Sequence, residues 1–314
     1  MYRFSIIIPV LGDRRLFDDT LASVLRYRSQ SCEVIVVHDG TYEDPYGLDG
    51  EVKFISNQRR ANLIRFFNFG IDQSSGELIA LIRPGIELDE GWHSEIEESF
   101  EDQNIGSVAP IIVTTSEPDT IVAAGVTKRF GFNRDVEGAS QKIARRTLDR
   151  IAPLGPTSWA AFYRRSALEM IETIGEELDA CYLDLDLALS LKTLGFETRV
   201  CDHCVVSIER PKLIEKELAS PHGQSAQRAY TRHEAQTGTT SSIFQSACAF
   251  AKEVVTSPFR PVLFQHAILR LGALGKINTD QHFAQQLALE AKLKRHKETL
   301  GVEDSSTRQA RDAA

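Results

Sequence analysis

Residues 33–41 read Glu33-Val34-Ile35-Val36-Val37-His38-Asp39-Gly40-Thr41. Consecutive apolar, mostly β-branched residues with no polar alternation are the pattern of a strand covered on both faces, as in a parallel sheet packed between helices. The run stops at Asp39-Gly40, a pair that turns a chain readily. Upstream, Phe4-Ser5-Ile6-Ile7-Ile8-Pro9-Val10 is a second such run, and between the two Phe17, Leu21, Val24 and Leu25 recur at helical spacing after Asp13. Downstream, residues 52–55 form a short third strand and Leu63, Ile64, Phe67 and Ile71 mark another helix. Gly76-Glu77 then leads into Leu78-Ile79-Ala80-Leu81-Ile82, which stops at Arg83-Pro84-Gly85. This alternation predicts an α/β fold, Rossmann-like, with a mostly parallel central sheet flanked by helices.

Ligands in open α/β sheets bind beyond the carboxyl ends of the strands. Pro9, Val10 and Leu11, then Asp39 and Gly40, then residues 83–87 should therefore converge on one crevice. Asp39 is an acceptor-only carboxylate suited to a nucleobase or ribose, and Gly40 permits close approach of the chain. The competing role for Asp39 is simply to cap its own turn.

The pattern continues with a helix over 92–100, a strand over 106–113 and an irregular stretch over 114–153. Elements follow at 157–163, 166–174 and 184–194, then strands at 197–200 and 205–208. Residues 1–210 are thus expected to form the ligand-binding domain. Residues 211–241, polar and carrying Pro211, Pro221 and Gly238, read as a linker. A C-terminal helical extension over 242–302 is expected, with helical patterns at 242–255, 262–274 and 280–300, and a disordered tail over 303–314. Phe250, Val254, Val255, Phe264, Ile268 and Leu271 read as core contacts of that extension. Its last helix ends in Lys292, Lys294, Arg295, His296 and Lys297, which suits a peripheral contact with a membrane surface or another copy.

The 314 residues are 42% hydrophobic and 25% charged, as for a globular protein. With 44 acidic against 36 basic residues, net charge -8, nucleic acid is not an expected partner. The apolar run at residues 4–8 is too short for a signal peptide, and no stretch approaches the roughly 20 apolar residues of a membrane span. The expected compartment is cytoplasmic, with peripheral membrane contact only through the C-terminal helices. The cysteines at 32, 181, 201, 204 and 248 read as reduced thiols. Cys201-Asp202-His203-Cys204 has the spacing of half a zinc site but lacks a second pair, so a plain strand is the favoured reading.

Several motifs in order resemble the family 2 glycosyltransferases. Residues 4–10 are similar to the family's opening strand, and residues 33–41 to its second strand, with His38 in place of the first of two aspartates. Asn57, Phe67-Asn68-Phe69-Gly70-Ile71 and Ser75-Gly76-Glu77 follow the family's approach to its metal motif. Residues 175–179, then Leu183-Asp184-Leu185-Asp186-Leu187 and Gly195-Phe196, resemble its Gly-x-Phe-Asp and Glu-Asp-x-Asp-Leu segment, with Leu183 replacing the first acid. The resemblance spans residues 2–208 and implies a GT-A fold and a nucleotide-sugar donor. It further implies a glycan or lipid-linked acceptor and, with Asp184 as general base, an inverting transfer. A first-turn helix acid explains Asp184 equally well, and Asp186 competes for either role.

The family holds Mg2+ or Mn2+ with an Asp-x-Asp motif after the fourth strand. Here Arg83-Pro84-Gly85-Ile86-Glu87-Leu88 is a degenerate version: Arg83 and Gly85 supply no oxygen ligand, and Glu87 alone makes a poor site. A conventional metal site is therefore not expected, and Mg2+ or Mn2+ stays open only as the cofactor that the resemblance implies. A permanent guanidinium suits phosphate oxygens, so Arg83, helped by Arg60 and by Arg59 and Arg65, is expected to face the donor diphosphate. The expected activity is a metal-independent sugar transfer. The alternative is a catalytically inactive nucleotide-sugar binder or scaffold in polysaccharide assembly. A dinucleotide enzyme is disfavoured, since Gly-x-Gly-x-x-Gly does not follow the first strand.

Overall fold

The alternation of apolar side chains across the pleat builds two cores. In the computed structural model, β1 (Phe4–Pro9) is buried at every position. It pairs in parallel with β2 (Cys32–His38), Ile6 opposite Val34 and Ile8 opposite Val36. Phe4, Ile6 and Ile8 join a cluster on one face with Val34, Val36, Ala80 and Ile82. Ile7 joins Ile35, Val37, Ile79 and Leu81 on the other. Helix α1 (Arg14–Tyr27) lays Phe17, Leu21 and Val24 on the first face. After β3 (Val52–Ser56), helix α2 (Leu63–Asp72) lays Leu63, Ile64, Phe66 and Phe67 on the second. That is why strands with no polar alternation occur in this chain: neither face meets water. Asp13 and Asn62 cap the two helices, accepting from the N–H of Arg15 and Arg65.

The described residues are 2–58, 62–129, 133–171, 179–220, 222–233, 265 and 267–270. Beyond β4 (Leu78–Ile82) come β5 (Ile86–Glu87), α3 (Trp92–Ser99), β6 (Ile105–Thr114), β7 (Glu117–Ala123), β8 (Val126–Arg129) and β9 (Asn133–Val136). Then follow α4 (Arg145–Leu148), β10 (Ala160–Arg164), α5 (Arg165–Met170), a 3-10 turn at Ala180–Tyr182, α6 (Leu183–Thr193), β11 (Glu197–Ile208), α7 (Lys212–Ala219) and α8 (Gly223–His233). The main sheet runs β3-β2-β1-β4-β10-β6-β11-β5, with β7 added to β6. Its first four strands are parallel. β10 enters antiparallel between β4 and β6, after which β6 and β11 are again parallel.

Two regions differ from the sequence expectation. The stretch 114–153 is not irregular: β7 pairs with β6, and β8 and β9 form a separate antiparallel pair. These strands are short, half-exposed and charged, as in Glu117-Pro118-Asp119, so no hydrophobic period marks them. The expected linker carries α7 and α8 over residues 212–233. Pro211 stands just ahead of the first turn of α7, where a missing N–H costs no hydrogen bond, so it marks a helix start. Of the C-terminal patterns, residue 265 and residues 267–270 are helical, with Ala267 buried but Ile268 51% exposed rather than in a core. Phe250, Val254, Val255, Phe264, Leu271, the basic end and the tail lie outside the described residues. Among the described residues, no helix is long and apolar enough to cross a membrane.

One glycine is fixed by packing. A Cβ on Gly76 would lie 2.6 Å from the backbone of both Phe4 and Ser5. Its N–H donates to Ser5 Oγ at 2.7 Å, and Glu33 accepts from the hydroxyl of the same serine at 2.6 Å. Gly76→Ala is expected to cost about 1–3 kcal/mol of stability through forced backbone movement. A urea unfolding curve indistinguishable from the parent's would contradict this.

Candidate functional site

The carboxyl ends of β1, β2 and β4 meet at one edge, as expected of such a sheet. Pro9 is buried, and Val10 extends the ladder by donating its N–H to the Val37 carbonyl at 2.8 Å. Asp39 stands half-buried after β2. Its Oδ1 accepts from Thr41 N at 3.0 Å and Thr41 Oγ1 at 2.6 Å, and these bonds hold the carboxyl below its ordinary range. Asp39 therefore caps its turn with one oxygen, while Oδ2 has no partner among the described residues. Gly40, at φ 98°, donates its N–H to His38 Nδ1 at 3.2 Å. Burial lowers the His38 pKa, which keeps the ring neutral and Nδ1 an acceptor. The histidine that replaces an acid in the motif is thus part of the turn. Arg59 and Arg60 lie outside the described residues.

At the end of β4 Arg83 is held by three side chains. Its guanidinium lies 3.8 Å above the Trp159 ring and donates to Glu217 Oε1 at 3.1 Å and Ser158 Oγ at 3.3 Å. Trp159 Nε1 donates to Glu217 Oε2 at 2.6 Å. Arg83 and Glu217 are only 16% and 15% exposed. Burial alone would raise the Glu217 pKa, yet the charges of Arg83 and Arg134 outweigh it and hold the carboxyl low, so Glu217 is ionised. Helix α7, in the expected linker, supplies this counter-charge. Gly85 is a turn residue at φ 100°, and its N–H donates to Thr20 Oγ1 at 2.9 Å and Leu16 O at 3.2 Å, both on α1. Glu87 sits in β5 opposite Ser207, its pKa raised by burial and then by Asp19, Glu209 and Asp89.

Asp184 lies in the first turn of α6 and is wholly buried. Arg134, on β9 and 3% exposed, grips it through a fork: Nε to Oδ1 at 2.8 Å and Nη2 to Oδ2 at 2.5 Å. The Ser158 N–H donates to Oδ2 at 2.9 Å. Burial works against the Arg134 charge, but Asp184 more than offsets it and raises the guanidinium pKa. Arg134 Nη1 is buried without a hydrogen-bond partner among the described residues. Asp186, also buried, meets His233 Nε2 of α8 at 2.8 Å. Arg134, Trp159 and Glu217 went unmarked in the sequence. Arg134 and Glu217 lie in stretches with no period, and each meets its partner across 50 or more residues. Cys201 and Cys204 are buried in β11, Cys201 just before and Cys204 within a break in its register with β6, in accord with the plain-strand reading.

The model for the family described as glycosyl transferase family 2 matches residues 5–171, more than half of the chain. The chain belongs to this family. GalNAc-T7, solved with UDP, GalNAc and Mn2+, superposes with a TM-score of 0.53 at 14% identity, covering 66% of this glycosyltransferase and 44% of that chain. The likeness is one of fold, and the architecture is GT-A. PcManGT, a mannosyltransferase from Pyrobaculum calidifontis in complex with GDP-Man and Mn2+, gives a TM-score of 0.49 at 14% identity, over 99% of this chain and 79% of that one. S. aureus TarS 1-349 gives 0.48 at 13% identity, over 74% and 66%. No curated protein sequence matches significantly.

The divalent ion that the family holds after its fourth strand does not fit these residues. Gly85 offers no side chain and its N–H is bound to α1, Arg83 is a cation already paired, and Glu87 is a single carboxylate whose nearest charges are other acids. At the end of β4 the chain itself places a cation, Arg83, whose charge is balanced by Glu217.

Proposed function

We propose that this glycosyltransferase moves a sugar from a nucleotide-sugar donor to a glycan or lipid-linked acceptor, binding the donor diphosphate without a metal at the end of β4. One observation carries the reading: the Glu217 carboxylate stands in a cradle chemically suited to phosphate. Arg83, the Trp159 indole N–H and the Ser158 hydroxyl surround it or its partner, and Arg134 adds positive charge. A diphosphate would take the place of Glu217. Asp39 Oδ2, with Pro9, Val10 and Gly40 beside it, remains for the base or ribose. The transfer is inverting, with Asp184 as the base, once Arg134 has released it to an acceptor hydroxyl at about 2.6–3.2 Å.

The full engagement of Asp184 favours a second reading, a donor-binding protein without transfer. Both of its oxygens already accept, from the Arg134 guanidinium and from backbone N–H groups, so neither faces an acceptor hydroxyl. Calorimetric titration with UDP and with GDP in EDTA tests the shared part. Binding is expected to persist in chelator and to weaken about tenfold or more in Arg83→Ala. Binding that needs Mn2+ and ignores Arg83→Ala would sink the metal-free proposal. The two readings separate on Asp184→Asn in cells: a folded, donor-binding variant that no longer supports glycan production favours transfer through Asp184, and unchanged cellular production favours the binding protein.

A further inference from the structure

Next to the Arg83 cradle, Asp179, Cys181 and His222 bring a carboxylate oxygen, a thiol and a ring nitrogen within 4.8 Å of one another. Asp179 and Cys181 flank the start of the 3-10 turn ahead of α6, and His222 precedes α8. The imidazole orientation is the telling feature. His222 Nε2 lies 2.9 Å from the Glu217 carbonyl oxygen, a contact that needs a proton on Nε2. Its Nδ1 faces Asp179 Oδ2 at 3.4 Å, an ion pair when the ring is protonated. A metal ion would take the place of that proton, with the Cys181 sulfur within 4.8 Å of both ligand atoms. Ser225 donates to that same Oδ2 at 2.9 Å and accepts from the Asp179 N–H at 2.9 Å, orienting the carboxylate. A ligating histidine whose other nitrogen donates to a backbone carbonyl, beside a carboxylate that is itself hydrogen-bonded, is the usual outer shell of a metal site.

We propose that Asp179, Cys181 and His222 form a Zn2+ site, with a fourth, open position for water. One sulfur, one nitrogen and one oxygen suit this ion and not Mg2+. Tetrahedral zinc bonds place ligand atoms about 3.3–3.8 Å apart, and the Asp179–His222 separation already falls there. The Asp179 side chain is 54% exposed, so the ion has a way in, while Cys181 is buried. The bound ion ties the turn between α7 and α8 to the turn before α6. It thereby steadies the helix that carries Glu217, whether or not the chain transfers a sugar.

The test is titration of the full-length chain, stripped with chelator, by Co2+ as a coloured stand-in for Zn2+. Expected is a thiolate-to-cobalt charge-transfer band saturating near one equivalent and bleached by Zn2+. Cys181→Ser should abolish the band, and His222→Ala should weaken binding about tenfold or more. Cys201→Ser and Cys204→Ser should leave it intact. No thiolate band in the parent chain, or a band that survives His222→Ala unchanged, or one lost with Cys201→Ser, overturns the site. Should Cys181→Ser fail to fold, His222→Ala and the Cys201 control decide the matter.

Discussion

Arg134→Ala is expected to lower the unfolding free energy by about 3–5 kcal/mol, the largest effect of any single substitution considered for this chain. The variant leaves the Asp184 carboxylate without its guanidinium partner at a position that is 0% exposed. Its remaining acceptor bonds come from backbone N–H groups, including that of Ser158, and do not balance a full charge in a low-dielectric interior. The unpartnered charge then draws water into the interior or loosens the packing around it, and each costs stability. Arg134→Lys should lose less, since it keeps the charge but not the fork. Removing both partners in Arg134→Met with Asp184→Leu should recover much of the loss, because no charge is then left buried. Urea unfolding monitored by circular dichroism measures all three. A loss below about 1 kcal/mol in Arg134→Ala would mean that the pair behaves as a surface salt bridge.

Glu217→Ala is expected to act in the opposite sense on the crevice, tightening the binding of UDP or GDP about tenfold, or about 1.4 kcal/mol. In the parent chain the diphosphate has to displace a carboxylate that accepts from both Arg83 and the Trp159 indole. Charge-assisted bonds of this kind are worth about 1.5–3 kcal/mol, and the partial exposure of the pair places the expectation at the lower end. Glu215→Ala, an exposed acid on the same helix, should change the affinity little. The double change Arg83→Ala with Glu217→Ala should lose the gain, since the freed cation is its source. Calorimetric titration at fixed ionic strength distinguishes these outcomes. Unchanged affinity in Glu217→Ala would show that the donor does not compete for Arg83.

Much of the fold is legible locally. The runs in β1, β2 and β4 have no polar alternation because both faces of each strand are buried, and α1 and α2 each show one apolar stripe because each covers one face. The turn at Asp39-Gly40 is legible for the same reason, since its hydrogen bonds close within two residues. The strands between residues 117 and 136 are not, because their stability comes from pairing and from packing under α6 rather than from an apolar period. Helices α7 and α8 were hidden by Pro211 and by polar composition. Ile214, buried on α7, is a weak signal in a helix otherwise rich in charge.

By itself the sequence determined the layered α/β architecture, the edge at which the carboxyl ends of β1, β2 and β4 meet and the absence of oxygen ligands at Arg83 and Gly85. These depend on side-chain polarity repeated over a few residues, which a linear reading captures. Only the tertiary structure decided where the charges go. Arg83 meets Glu217 across 134 residues, and Asp184 meets Arg134 across 50. Neither partner could be named from its neighbours, because burial makes a charge depend on whichever opposite charge the fold delivers, and that is set by how the chain crosses itself.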